Sequence, residues 1–383
     1  MPLAAHRQVF ASFAIYAFGL GNIFPRLPEI KARMGVEEGA LGLALIGTPV
    51  GTLIALTFAA PVIGRLGHRR TLRYGLPAIA LFFAIAVHAP SPLWLFGLLI
   101  PAGLVMGAVE VVCNVEADRT ESVMGKRIMN RSHAFWSFGF FAAGGFGAVM
   151  AQTGVSPGWH MALAFALAVA ATVLLMSGFV PAPKRGSDTA AHGPALARPT
   201  WPIMALVGVC VSAMLLEGAS IDWSAIYMNS VFSAAPFLGG AAVATAALSQ
   251  AVARYNADVL VDRFGPVSVA QVMQAAMAAG VLTVFFAPNP GTALLGFALI
   301  GAGTSAIFPL AMSAAAQRSD RPAEVNVAAL AQFAFVVFLL APPLLGFVAE
   351  HLGLRWTYGV TLPLVAASVL LSRALAPAEP AAA

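Results

Sequence analysis

Residues 60–70 read Ala60-Pro61-Val62-Ile63-Gly64-Arg65-Leu66-Gly67-His68-Arg69-Arg70, and the rest of the chain can be worked out from them. They form a basic, glycine-marked turn between two apolar runs, 40–64 and 74–90. Cations beside apolar runs of ~20 residues sit where a membrane helix meets the headgroups. A second version of the turn, Arg263-Phe264-Gly265, follows another apolar run in the second half of the chain.

Composition agrees with this reading. Of 383 residues, 60% are hydrophobic and 10% are charged, whereas an ordinary soluble domain carries about 25% charged residues. One or two water-soluble cores could not hide so much apolar surface. This excludes a soluble enzyme, a disordered chain and a nucleic-acid reader. Twelve apolar segments are expected at 8–28, 40–64, 74–90, 93–115, 130–151, 159–180, 202–228, 236–260, 267–287, 291–313, 325–348 and 355–375. They are too long for strands and lack period-two alternation, so they predict helices. The fold class is therefore an all-α membrane protein of twelve transmembrane helices.

The net charge of +5 arises mostly in short connections. Arg65, Arg69, Arg70, Arg73, Arg119, Lys126, Arg127, Arg131, Lys184, Arg185, Arg198, Arg263, Arg318 and Arg321 fall on one side, with Arg7 and Arg373 near the termini. Arg26, Lys31, Arg33 and Arg355 are left for the other. The positive-inside rule then predicts both termini in the cytoplasm. Cys113 and Cys210 lie in separate apolar runs and are expected to pack as free thiols.

Residues 181–201 are rich in Pro, Ala, Gly and charge and predict a cytoplasmic linker. They separate six helices in 1–180 from six in 202–383. Besides the repeated turn, Gly107 in the fourth helix has a counterpart in Gly301 of the tenth. Duplicated six-helix bundles are the parallel-repeat plan of many secondary transporters.

Taken together, the chain resembles the major facilitator superfamily, whose signature between helices 2 and 3 has the form G-x-x-x-D-R-x-G-R-R. The glycine and basic positions match, with Gly64 in place of the acidic residue. The second copy keeps Asp262, Arg263 and Gly265, with Asp258 at the usual glycine position. Within the superfamily it is similar to YbjJ-type bacterial inner-membrane proteins. That likeness is carried by Arg26-Leu27-Pro28, by Glu110 to Glu116 leading into His133 to Gly139, by Glu217 to Trp223, and by Pro342 to Gly346 with Glu350 to Arg355. Glu110-x-x-x-Asn114 resembles proton-coupled fucose-type permeases, which implies a protonation site at Glu110. The proline-bearing drug-antiporter mark is missing from 139–147. The resemblance implies a multi-pass protein of the bacterial inner membrane.

An ionisable side chain at membrane depth costs ~2.5–3.5 kcal/mol on the milder insertion scale, so each one asks for a reason. Glu110, Glu217 and His133 are the expected proton-coupling groups. The expected solute contacts are Asn22, Arg26, Asn114, Asp222, Trp223, Gln250 and Arg254. Trp223 and Tyr227 can also be read as interfacial belt residues, and Arg254 as an intrahelical partner of Asp258. Arg65, Arg69, Asp258, Asp262 and Arg263 are expected to work mechanically, in gating. Gly47–Gly51 and Gly103–Gly107 predict close helix packing.

Walker, GxSxG, HExxH and paired CxxC patterns do not occur. The expectation is a non-enzymatic, monomeric transporter with no metal, no cofactor and no nucleic-acid partner. Its partners would be a small polar solute, with sugars as a candidate class, protons and the lipid bilayer. The alternatives are a proton-driven exporter of drugs or small metabolites, and a membrane receptor or enzyme that transports nothing.

Overall fold

The computed structural model describes residues 4–126, 128–184, 198–318 and 320–376. Arg127, Arg185 and the middle of the expected linker lie outside them. Apolar runs must satisfy their backbone hydrogen bonds internally. They do so as helices, and no strand occurs among the described residues.

We label the helices α1 (Ala5–Met34), α2 (Glu38–Phe58), α3 (His68–Ala86), α4 (Pro92–Met124), α5 (Met129–Gln152), α6 (Pro157–Leu175), α7 (Trp201–Asp222, continued by Ser224–Phe232), α8 (Pro236–Phe264), α9 (Pro266–Phe285), α10 (Pro290–Ala316), α11 (Val325–Leu352) and α12 (Leu354–Leu375). Eleven are long and apolar enough to cross a membrane. The exception is α3, expected over 74–90 but starting at His68, so that its first turns carry Arg69, Arg70 and Arg73. α4 outruns its expected end at 115 and reaches Met124, because Glu116 and Arg119 near its end are buried and paired.

Local sequence explains the ends. α4, α6, α8, α9 and α10 open on proline, whose missing N–H costs nothing in a first turn. The repeated turn is built alike in both halves: Gly67 (φ 74°) and Gly265 (φ 79°) take a left-handed conformation that lets one helix stop and the next begin. Among the described residues five helices are interrupted. α1 passes through a 3-10 turn at Phe24–Arg26, α2 breaks at Ile46, α7 at Trp223, α10 at Ser305–Ala306 and α12 at Val360–Thr361. Broken helices are tolerated at membrane depth only where neighbours satisfy the freed backbone groups.

Packing follows the repeat. α2 lies on α4 and α8 lies on α10. A Cβ on Gly107 would meet Ala55 and Thr52 of α2, and one on Gly301 would meet Ala246 and Ser249 of α8. Gly47, Gly51 and Gly103 likewise bring α2 and α4 into backbone contact, as their spacing predicts. Two seams join the first six helices to the last six. α5 runs antiparallel to α8 along its whole length, whereas α11 packs mainly on the first half of α2, Glu38–Leu45. We call the face with the Arg65–Arg73 turn the basic face; the α2–α11 contact lies at the opposite face.

Candidate functional site

Midway along α4, Asn114 donates through Nδ2 to the carbonyl of Glu110 one turn earlier, at 2.9 Å. This leaves Asn114 Oδ1 as an acceptor, and His133 of α5 donates to it through Nε2 at 3.1 Å. The edge of Phe13 packs on the His133 ring, 5.0 Å between centroids. Tyr16, also on α1, turns its hydroxyl to the Glu110 carboxylate. The Glu110/Asn114 spacing thus places both on one helix face, as i, i+4 geometry requires, and α1 and α5 complete the cluster.

The second half of the chain supplies Arg254. It is almost fully buried on α8, and its Nε donates 2.8 Å to the carbonyl of Ser305, whose helical partner one turn on, Pro309, has no N–H. Its Nη1 reaches Ser137 of α5 at 3.5 Å, and Ser137 donates to Gln250 at 3.0 Å. Glu217 of α7 is the carboxylate acting on the Arg254 charge, and Arg254 in turn acts on His133. A polar chain therefore crosses between the halves: Tyr16 and Glu110, Asn114, His133, then Arg254 with Ser137 and Gln250, then Glu217, with Arg254 acting on His133 and Glu217 through its charge rather than by a hydrogen bond. Beside it a pocket is lined by Trp136, Phe140, Glu217, Ser220, Gln250 and Thr304. Trp136 and Phe140 stack at 5.2 Å between centroids, and the Ser220 hydroxyl is buried without a hydrogen-bond partner among the described residues. Such a site offers carboxylates that can carry protons, fixed donors and acceptors, and an aromatic face.

Other expected residues lie elsewhere. Asn22 and Arg26 form a separate cluster at the α1 interruption, towards the opposite face. Arg26 donates to His160 Nδ1 (3.1 Å), Glu29 (2.5 Å) and the Val155 carbonyl (2.8 Å). His160 Nε2 donates to Asn22 at 2.9 Å. Asp222 and Trp223 stand at the α7 break. The belt reading of Trp223 and Tyr227 is corrected: both are fully buried, Trp223 against Gly346 of α11, and Tyr227 donates to the Val284 carbonyl at 2.6 Å. The proposed Arg254–Asp258 pair does not form either, because the Ser305 carbonyl takes the guanidinium and Asn130 of α5 donates to Asp258. Arg65, Arg69 and Asp262 are exposed, and Arg263 lies over the Phe264 ring.

Sequence reasoning missed one node at the basic face. Glu116, almost fully buried, takes His68 at 2.5 Å, Arg119 at 3.3 Å and the Ala182 backbone N–H at 2.9 Å. It ties the α2–α3 turn, α4 and the start of the linker together. A carboxylate two turns below Glu110 on the same helix was the available signal. Tyr16 and Ser137 were missed because neither residue type is unusual in a membrane helix. Among the described residues no group of three His, Cys, Asp or Glu could hold a metal ion.

The Major Facilitator Superfamily model matches residues 205–383. An uncharacterized MFS-type transporter of Yersinia pestis is 26% identical over 375 residues, 96% of each chain. The chain is thus similar to major facilitator transporters, with the family model matching its second half. Solved structures share the fold at lower identity. The nucleoside transporter NupG superposes with TM-score 0.63 at 15% identity over 97% of both chains. A D-xylose-proton symporter does so with TM-score 0.69 at 15% identity over 96% of both. Its eleven long apolar helices and these likenesses describe a multi-pass membrane protein similar to transporters.

Proposed function

We propose that this chain is a member of the major facilitator superfamily, a secondary active transporter of the bacterial inner membrane that moves a small, polar, sugar- or nucleoside-like solute, coupled to protons. Twelve membrane crossings with both termini cytoplasmic would place the basic face inside the cell. The bundles 1–180 and 202–383 would rock about the mid-depth site in alternating access. The observation carrying this reading is the polar chain itself. Both halves contribute to it, and burying it would be costly unless it served the passage of something polar. Glu110 and Glu217 at its two ends are the proton carriers, with His133 between them. Asn114, Gln250 and Arg254 bind the solute, and Trp136 offers its ring a stacking face. Asn22, Arg26, Asp222 and Trp223, at the α1 and α7 breaks, would meet the solute as it passes the opposite-face end. Arg65, Arg69, Asp258, Asp262 and Arg263 act at the basic-face gate, where Asn130 donates to Asp258 across the α5–α8 seam.

The test begins with a thermal-shift screen of sugars, nucleosides, organic acids and cationic amphiphiles. A ligand at 100 times its Kd stabilises the native state by about 2.7 kcal/mol. The hit is then followed into proteoliposomes under an imposed proton gradient. Gradient-driven uptake should vanish in Glu110→Gln while solute exchange without a gradient persists. Gradient-driven uptake that survives in Glu110→Gln removes the coupling assignment. Hits confined to cationic amphiphiles would replace uptake with export.

A further inference from the structure

The α2–α3 turn carries four arginines in nine residues: Arg65, Arg69, Arg70 and Arg73. All four side chains are exposed, and none makes an ion pair or hydrogen bond among the described residues. Their arrangement is unfavourable taken alone. Three of them occupy the first turns of α3, where the helix dipole favours anions. Arg69 and Arg73 are like charges one turn apart. Two carboxylates towards the basic-face end of α4 are already committed: Glu116 holds His68, Arg119 and the Ala182 N–H, and Glu121 accepts from the N–H groups of Ile128 and Met129. The acidic position of the signature is Gly64. His68 is pinned inward on Glu116, so the flanking arginines are turned outward. Beside them lies an apolar surface: Phe58 is 68% exposed, Val62 53%, Leu66 47% and Tyr74 66%.

We propose that this arginine tetrad is a docking site for the headgroups of anionic phospholipids. It rests on the reading above that the basic face meets the inner leaflet, and it is independent of solute and proton coupling. Clustered cations next to a membrane helix attract anionic headgroups. The adjoining exposed side chains favour a lipid over a soluble phosphate, because acyl chains can cover Phe58 and Tyr74 while the phosphate meets the guanidinium groups.

The experiment is native mass spectrometry of the detergent-purified full chain titrated with phosphatidylglycerol or phosphatidylcholine. Phosphatidylglycerol should be retained preferentially. The preference should fall about fivefold for each arginine removed, in Arg69→Gln/Arg70→Gln and further in the quadruple glutamine variant. The control K126Q/R131Q/K184Q/R373Q, which removes four other cations of the basic face, should keep the preference. The double variant carries the test if the quadruple one does not fold. Equal loss in tetrad and control variants, or no phosphatidylglycerol preference in the parent chain, would overturn the proposal. Displacement of the bound lipid by an equal concentration of glycerol 1-phosphate would also overturn it, in favour of a soluble anion. Since lipid retention is measured without transport, failure here leaves the transport reading standing, and the reverse also holds.

Discussion

The α5–α8 seam and the α2–α11 seam join the same two halves in different ways. Along α5–α8, small residues admit backbone contact: a Cβ on Gly240 would lie 2.6 Å from Ala148, and one on Gly144 would lie 2.9 Å from the backbone of Ala244. Polar links add to this from end to end. Gln152 accepts from the Phe237 N–H, Ser137 joins Gln250 and Arg254, and Asn130 donates to Asp258. At α2–α11 the contact belongs to one end. The Gly39 N–H donates to Glu350 at 3.0 Å, and Gly42 and Gly346 touch the opposing backbone, whereas Gly47–Phe58 packs chiefly on α4. The difference is between a seam that excludes the bilayer along its full length and one that closes only the opposite face.

The largest effect is expected from Arg254→Ala. It removes the donor from the Ser305 carbonyl and the cation from Glu217, and should cost about 2–3 kcal/mol. Unfolding in a denaturing detergent titration measures it, and an unchanged midpoint would mean the α10 break does not depend on Arg254. Next is Gly240→Val, where a branched side chain has no room. A loss of about 2 kcal/mol is expected, while Gly145→Val, on the facing helix α5 with nothing within 4 Å of its Cβ, should be neutral. If both variants behave alike, the full-length seam is not the tight one.

The third prediction concerns the end-only seam. Glu350→Ala deletes an exposed charged acceptor and should shift the balance towards an open opposite face by about 0.5–1 kcal/mol. Spin labels at the exposed residues Glu37 and His351 would report a longer inter-label distance, with α5–α8 distances unaltered. No change in either would show that Gly42 and Gly346 hold the contact by packing alone. The smallest effect belongs to Asp320, at the basic-face start of α11. Partial burial pushes its carboxyl up, but the Asn326 amide (2.9 Å), the Arg318 guanidinium (3.4 Å), the backbone and Arg321 together hold it below the ordinary range. A lowered folded-state pKa stabilises above the unfolded value, near 4, and that contribution disappears as pH falls through the lowered value. Asp320→Asn should therefore match the parent at very low pH and be slightly less stable from pH 5 to 8. A difference that grows on acidification would contradict this sign.

Much of the site was legible as single residues. Glu110, Asn114, His133, Glu217, Gln250 and Arg254 could be picked out because polar groups inside apolar runs are expensive. The partners of these groups were less legible. Arg254 looked to Asp258 by helical spacing, yet its acceptor is the Ser305 carbonyl of α10, which Pro309 leaves without a helical partner. Asn22 and Arg26 stood out as costly residues, but their bonds to His160 and Val155 of a distant segment do not follow from spacing along α1. Trp223 carried a belt signature, but the α7 break turns it into the interior.

The sequence by itself determined the membrane setting, the helical class, the repeated basic turn and the list of costly polar residues. Each of these follows from composition, run length or spacing along one segment. Only the tertiary structure decided which polar residues meet, that Glu116 and His68 pin the turn, and that one seam closes throughout while the other closes at one end. Those outcomes depend on how closely two backbones approach and where a helix breaks. Contacts between distant segments set both, and no local pattern encodes them.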